Sequence, residues 1–87
     1  MYRIVWTPTA ESELAALWLA APDRKAVTSA AHDIEQHLRI RPLLVGESRE
    51  SSVNRVVVHP PLILLFDVIE DDKLVYIRYA GLTDPRL

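Results

Sequence analysis

Cysteine is absent from the 87 residues of this chain. Neither a disulfide framework nor a zinc site built on cysteine thiolates can therefore stabilise the fold. A chain of this length is too short for two stable cores, so we expect residues 1–87 to form one domain. Because so small a domain buries only about 60–65 % of its unfolded surface, hydrophobic packing or a partner must supply its stability.

Long hydrophobic runs are also absent. The longest apolar run covers residues 62–66, whereas a membrane-spanning helix needs about 20 residues. The first residues lack the basic stretch followed by a long apolar one that marks a secretion signal. We therefore expect a soluble, cytoplasmic protein that makes no membrane contact.

Positive charge is not in surplus. The chain has 10 Lys and Arg residues against 12 Asp and Glu residues, which makes the formal net charge −2. Because cationic side chains drive binding to phosphate backbones, any contact with nucleic acid requires a local basic patch. The chain is 49 % hydrophobic and 25 % charged, which is the balance of a packed globular protein.

Cap residues define two helices in the first half of the chain. A short strand is predicted over residues 2–6, and Thr7 then caps a helix whose first residue is Pro8. Asp23 caps a second helix, which ends before Pro42. Each helix has one apolar stripe, formed by Ala10, Leu14, Leu17, Trp18 and Ala21 in the first and by Val27, Ala30, Ala31, Ile34 and Leu38 in the second.

The second half of the chain has the alternation of a sheet. Residues 43–52 have no sustained period and are predicted as a loop, followed by strands over residues 54–58, 62–69 and 73–80. The order β-α-α-β-β-β predicts an α+β fold in which two antiparallel helices pack on one face of an antiparallel sheet.

The turn between the last two strands sets their register. A two-residue loop at Asp71 and Asp72 predicts that Phe66 lies opposite Ile77 and Leu65 opposite Arg78. One face is then apolar and should pack on the helices; it holds Leu64, Phe66, Val68, Val75, Ile77 and Tyr79. The other face is mixed and holds Leu65, Asp67, Ile69, Leu74, Tyr76 and Arg78.

The proline turn decides where Arg55 lies. A three- or five-residue connection around Pro60 and Pro61 places Arg55 on the mixed face, whereas a four-residue connection places it on the helix side. We favour the first arrangement because it avoids burying an unpaired guanidinium group. It predicts that Arg55, Asp67, Tyr76 and Arg78 share one concave, partly polar surface.

Several segments, taken in order, resemble the RelE/ParE toxin family over nearly the whole chain. They are the opening YRIVWTPTAESEL, the Leu-x-x-x-Pro of residues 38–42, the Gly-Glu-Ser-Arg of residues 46–49, Arg55 at the start of a strand, and the final PLILLFDV and DDKLVYIRYAG. The resemblance implies a curved antiparallel sheet with both helices on one face. It also implies a bacterial toxin that inhibits growth and is neutralised by a cognate antitoxin protein.

Family members that cleave mRNA on the ribosome imply roles for particular residues here. By this resemblance Arg55 would contact the scissile phosphate and Arg78 would be a further phosphate clamp. His59, which precedes the proline turn near the expected groove, is a candidate acid or base. Arg49, Tyr76 and Arg86 would bind the substrate. The resemblance implies no cofactor, and His32 and His37, which are five residues apart, do not have the spacing of a metal-binding pair.

The chain also departs from those ribonucleases. Its last residues, AGLTDPRL, lack the basic segment and terminal aromatic or histidine that such members carry, and its net charge is slightly acidic. The alternatives are a ParE-like inhibitor of DNA gyrase, which needs no nuclease residues, and a family member that only binds its antitoxin. Each candidate also has a structural explanation, since Arg55 and Arg49 suit surface ion pairs and Arg78 suits a cross-strand pair with Asp67.

Overall fold

The element order predicted from the sequence is confirmed, with one additional short strand. The computed structural model describes residues 1–42, 47–48 and 54–83. Its elements are β1 (Arg3–Trp6), α1 (Pro8–Ala20), α2 (Arg24–Ile40), β2 (Glu47–Ser48), β3 (Asn54–His59), β4 (Leu62–Ile69) and β5 (Leu74–Leu82). Strand β2 falls inside the segment predicted as a loop.

Both helix starts are capped as predicted. The Oγ1 atom of Thr7 accepts a hydrogen bond from the backbone N–H of Ala10 at 3.2 Å, and Pro8 occupies the first turn. The carboxylate of Asp23 accepts one from the N–H of Ala26 at 3.0 Å. These bonds satisfy N–H groups that have no partner inside a helix. Among the described residues, neither helix is long and apolar enough to cross a membrane.

The sheet is mixed, and the prediction that it is antiparallel throughout is wrong for its first strand. The strand order is β1-β5-β4-β3-β2, and β3, β4 and β5 form the predicted antiparallel meander. Strand β1 instead runs parallel to β5, with Ile4 beside Val75 and Trp6 beside Ile77. A hairpin forces antiparallel pairing, but β1 and β5 are joined through the whole intervening chain, so no local turn dictates their direction.

The core lies between the helices and one face of the sheet. Alternate residues of β4 are buried, as the period of a strand requires, and the helical stripes cover them. The buried set is Ala10, Val27, Ala30, Ile34, Leu38, Val57, Leu62, Leu64, Phe66, Val68, Val75 and Ile77. The predicted core face is therefore confirmed up to Ile77 in β5.

A β-bulge in β5 changes the pattern beyond Ile77. Phe66 faces Ile77, but Leu65, the residue before Phe66 in β4, faces Tyr79. Arg78 is therefore the inserted residue. The prediction that Leu65 opposes Arg78 is wrong. Tyr79, predicted for the core, is 48 % exposed. The hydrophobic pattern could not reveal the bulge, since an inserted residue leaves both flanking segments with the alternation of an ordinary strand.

Helix α1 takes over the edge of β5 where β1 ends. The backbone N–H and Oγ1 of Thr7 both donate to the carbonyl oxygen of Ile77, each at 3.0 Å. Farther along β5, the N–H of Ala80 donates to the Oε1 atom of Glu13 at 2.9 Å. Backbone groups that lack a strand partner are therefore satisfied by the N-cap residue of α1 and by a side chain near its middle, which hold this helix against the sheet.

We expect Glu13→Ala to lower the free energy of unfolding by about 1–3 kcal/mol, because it leaves the partly buried N–H of Ala80 without its acceptor. Glu13→Gln should recover most of the loss, since its amide oxygen can accept the same bond. Urea denaturation measures both values. The exposed neighbour Ser12 provides the control, and Ser12→Ala should change stability by about 0.5 kcal/mol or less. Equal losses in Glu13→Ala and Ser12→Ala would contradict this role.

Candidate functional site

The side of the sheet turned away from the helices is open, and we call it the free face. Its side chains are half-buried or exposed, whereas the residues that alternate with them in β4, and in β5 as far as Ile77, are buried. Residues that oppose one another in register share a face. By this criterion the free face consists of Arg3, Val5, Val56, Val58, Ile63, Leu65, Asp67, Ile69, Leu74, Tyr76, Arg78 and Tyr79.

An oriented ion pair lies in the middle of the free face. The Nη1 atom of Arg78 donates to the Oδ2 atom of Asp67 at 2.9 Å. The arginine side chain is 54 % exposed and the aspartate side chain is only 16 % exposed. This hydrogen bond, followed by the charge of Asp67, raises the pKa of Arg78, whose guanidinium is in any case cationic at physiological pH.

Two tyrosines accompany this ion pair. Tyr76 lies directly opposite Asp67 in the register of β4 and β5. Tyr79 follows Arg78 in the chain, and its phenol makes a smaller contribution to the raised pKa of Arg78. Because of the bulge, Arg78 and Tyr79 lie on the same face although they are adjacent in sequence. The site therefore combines one fixed cation with two aromatic hydroxyl groups.

Arg55 does not belong to this site, and its predicted placement is wrong. His59 pairs with Leu62, so only Pro60 and Pro61 connect β3 to β4, and the even-numbered connection puts Arg55 opposite the buried Phe66. Arg55 therefore lies on the helix side. The argument from burial failed because Arg55 is only half-buried and is not left without a partner there.

His59 is also on the helix side. Its Nε2 atom lies 3.4 Å from the Oδ2 atom of Asp33 in α2, and both side chains are about half exposed. This contact connects the proline turn to α2, on the side of the sheet away from Arg78. His59 is therefore placed as a structural link in this fold.

Of the six candidate residues, the structure brings together Tyr76 and Arg78. Arg55 and His59 lie on the opposite face, and Arg49 and Arg86 lie outside the described residues. Asp67, which orients Arg78, and Tyr79 were not among the candidates. A cross-strand pair with Asp67 was foreseeable from the hairpin register, but the exposure of Tyr79 depends on the bulge. No cluster of three metal-binding side chains occurs in the part of the chain that the structure describes.

A concave surface lies on the helical side, between α1 and α2. This cleft has a volume of about 560 Å³ and is mainly apolar. Trp18, which belongs to the apolar stripe predicted for the first helix, is 40 % exposed and lines the cleft together with Trp6. Helix α1 carries apolar residues on more than one side, with Leu19 64 % exposed, and this excess of apolar surface was visible in the sequence.

The fold is similar to that of known toxins. No protein-family model matches the sequence, and neither does any curated protein. Among solved structures, the toxin–antitoxin complex RelBE2 from Mycobacterium tuberculosis matches with a TM-score of 0.76 and 20 % identity, covering 94 % of this chain and 98 % of that one. The chromosomal ParDE system from P. aeruginosa matches with a TM-score of 0.65 and 18 % identity, covering 97 % and 98 %.

The isolated RelE toxin from E. coli is a third match. Its TM-score is 0.71 at 13 % identity, and the alignment covers 97 % of this chain and 86 % of that one. The chain therefore has the RelE/ParE-like toxin fold, and the predicted α+β fold class is confirmed.

The register that separates Arg55 from Arg78 can be tested by cross-linking. Val58 opposes Ile63 on the free face, and opposed Cα atoms are about 4.5–5.5 Å apart, within the range that a disulfide spans. The chain has no cysteine of its own. We expect the double variant Val58→Cys and Ile63→Cys to oxidise to an intramolecular disulfide, detected by mass spectrometry with and without reductant.

The matched control pairs Val57→Cys with Ile63→Cys. In the structure these side chains point to opposite faces and should stay reduced, but a three-residue proline turn would make them direct partners. A disulfide in the control, with none in the first variant, would restore Arg55 to the free face.

Proposed function

We propose that this protein is the toxin of a type II toxin–antitoxin pair and that it acts on its target through the free face. The RelE/ParE-like fold extends over nearly the whole chain. Structures that share it include toxin–antitoxin complexes from Mycobacterium tuberculosis and E. coli. By analogy with them, the partner of this chain is a cognate antitoxin protein.

The composition of the free face favours a protein target. Of the two cations on this face, Arg78 is already balanced by Asp67 at 2.9 Å and Arg3 lies on the edge strand β1, and most of the remaining side chains are apolar or aromatic. Binding to a phosphate backbone depends on unbalanced cations. Tyrosine and arginine within an apolar surface are instead the residue types that dominate the energy of protein–protein interfaces. This observation carries the proposal that the toxin inhibits by binding, as in the gyrase hypothesis.

Ribosome-dependent mRNA cleavage is the second candidate function, and the position of Tyr79 beside Arg78 favours it. In that reaction the 2′-hydroxyl gives its proton to a base and attacks phosphorus, while the 5′-oxygen leaves with a proton from an acid. Arg78 would stabilise the charge on the phosphorane, and Tyr76 or Tyr79 would exchange the protons. Arg55 and His59, on the other face, would take no direct part.

We expect Arg78→Ala to relieve growth inhibition, because it removes the oriented donor at the centre of the free face. A central interface residue of this kind contributes about 2 kcal/mol or more, so affinity for the target should fall about 30-fold. Arg55→Ala on the helix side is the matched control and should remain inhibitory. Induced cultures provide the growth measurement, and thermal melting of the purified variants verifies that they fold.

Two assays then separate the mechanisms. In the binding mechanism, mapping of transcript 5′ ends shows no new cuts during growth arrest, and a supercoiling assay with purified toxin tests gyrase as the target. Codon-positioned cuts that disappear in Arg78→Ala would instead establish cleavage. Unaffected growth at verified expression of the wild-type chain, in every host tested, would contradict the toxin proposal and leave a protein that only binds its antitoxin.

A further inference from the structure

Asp67 is the one charged residue of strand β4, whose other residues are all apolar. On the free face it lies between Leu65 and Ile69 along the strand and opposite Tyr76 in β5. Its side chain is only 16 % exposed among these apolar and aromatic neighbours. A carboxylate at this depth loses hydration, which costs free energy that an apolar side chain would not lose. Packing alone therefore does not explain an acid at this position.

The depths of the two partners decide which of them a ligand meets. The Arg78 side chain is 54 % exposed and Asp67 lies beneath it, so the guanidinium is the outer group. The carboxylate of Asp67 accepts from one nitrogen atom of Arg78, Nη1, at 2.9 Å. A guanidinium has five N–H donors in a planar fork, so others remain for a ligand. The ligand therefore meets a donor group whose charge is already cancelled from below.

This arrangement discriminates between ligands by their charge. A phosphate at Arg78 would lie close to the carboxylate of Asp67, and two anions repel one another most strongly where water is excluded. A neutral oxygen, such as a backbone carbonyl or a side-chain amide, can accept the same N–H bonds without that repulsion. The pair therefore favours the neutral oxygen of a protein over the phosphate of a nucleic acid.

Asp67 is also the one acid among the described residues that we assign to the free face. It stands against two arginines, Arg3 and Arg78. Arg3 lies on the edge strand β1, so Arg78 is the central cation. Without the charge of Asp67, this face would carry two cations and no acid, and such a surface attracts a phosphate backbone.

We propose that Asp67 determines which class of target the free face accepts. By cancelling the charge of Arg78, it excludes polyphosphates and leaves the remaining N–H groups to a neutral oxygen of a protein partner. Asp67 acts through Arg78 and is therefore a positioning residue. That this partner is the target of a toxin rests on the proposed function, whereas the exclusion of phosphate does not.

RNA binding tests the exclusion directly. The probe is a short fluorescein-labelled oligouridylate, and its anisotropy is measured at about 0.1 M salt, where charges more than about 10 Å apart are largely screened. We expect Asp67→Asn to bind the probe about tenfold more tightly than the wild-type chain, because the anion beside the phosphate is removed. The plot of log affinity against log salt should steepen by about 0.7, which corresponds to one added phosphate contact on a single strand.

Matched variants separate this effect from net charge and from misfolding. Asp67→Glu keeps the carboxylate and should bind RNA as weakly as the wild-type chain. Glu11→Gln makes the same change in net charge at an exposed residue of α1, on the helix side, and should leave the affinity within about twofold. Asp67→Ser is a second neutral variant at the same position, and thermal melting verifies that each variant folds.

The double variant Asp67→Asn with Arg78→Gln should lose the gain in RNA affinity. A gain that persists without Arg78 would overturn the positioning role. No gain in folded Asp67→Asn or Asp67→Ser, or an equal gain in Glu11→Gln, would overturn the proposal. Tight RNA binding by the wild-type chain that is lost in Arg78→Gln would overturn it as well, because the pair would then already accept phosphate.

Growth measurements distinguish a failure of this inference from a failure of the proposed function. If Asp67→Asn gains RNA affinity as expected but the wild-type chain never inhibits growth, the role of Asp67 stands and the toxin proposal falls. If the wild-type chain inhibits growth but neither neutral variant gains RNA affinity, the toxin proposal stands and the role of Asp67 falls.

Discussion

Strand β5, the last strand in the chain, must find hydrogen-bond partners for its backbone groups on both edges. The rest of the fold follows from how it does so. Strand β4 covers one edge of β5 along its length. Strand β1 covers the other edge only as far as Ile77, where β1 itself ends at Trp6. From there Thr7, the N-cap of α1, and Glu13, near the middle of that helix, supply the missing partners. The position of α1 on the sheet is therefore tied to the edge of one strand.

The bulge lies at the same point along β5. Arg78 is inserted directly after the last residue that β1 covers, where the partner of the β5 edge changes from a strand to a helix. A bulge adds one residue and re-aims the side chains that follow it. Here it turns Tyr79 away from the core and towards the free face, beside the pair of Arg78 and Asp67. The cluster of Asp67, Arg78 and Tyr79 on the free face thus depends on the bulge, which occurs where α1 replaces β1 as the partner of β5.

The features that sequence reasoning predicted correctly are local ones. A cap at Thr7 or Asp23 needs only the next few residues, and the buried alternation of β4 is contained in eight consecutive residues. The features that it missed depend on distant partners. Nothing within β1 specifies that it runs parallel to β5, and nothing around Arg78 specifies an inserted residue.

The placement of Arg55 failed for a different reason. An odd number of residues in the proline turn places Arg55 on one face of the sheet, and an even number places it on the other. The penalty for burying a charge was used to choose between the two. That penalty applies to full burial. Arg55 lies on β3, the strand next to the edge strand β2, two positions before the buried Val57. It is only half-buried. A weak penalty could not decide the register.

The free face and the cleft lie on opposite sides of the same sheet, which constrains how an antitoxin would neutralise the toxin proposed above. The cleft is formed by α1 and α2, whereas Arg78 and the tyrosines face away from both helices. A segment confined to the cleft leaves the free face open, so a target could bind at the same time. Neutralisation through the cleft therefore requires an occupant that continues around the edge of the sheet, or one bulky enough to block the target sterically. The length of the partner beyond the segment that lies in the cleft, more than the affinity of that segment, would decide between these two modes.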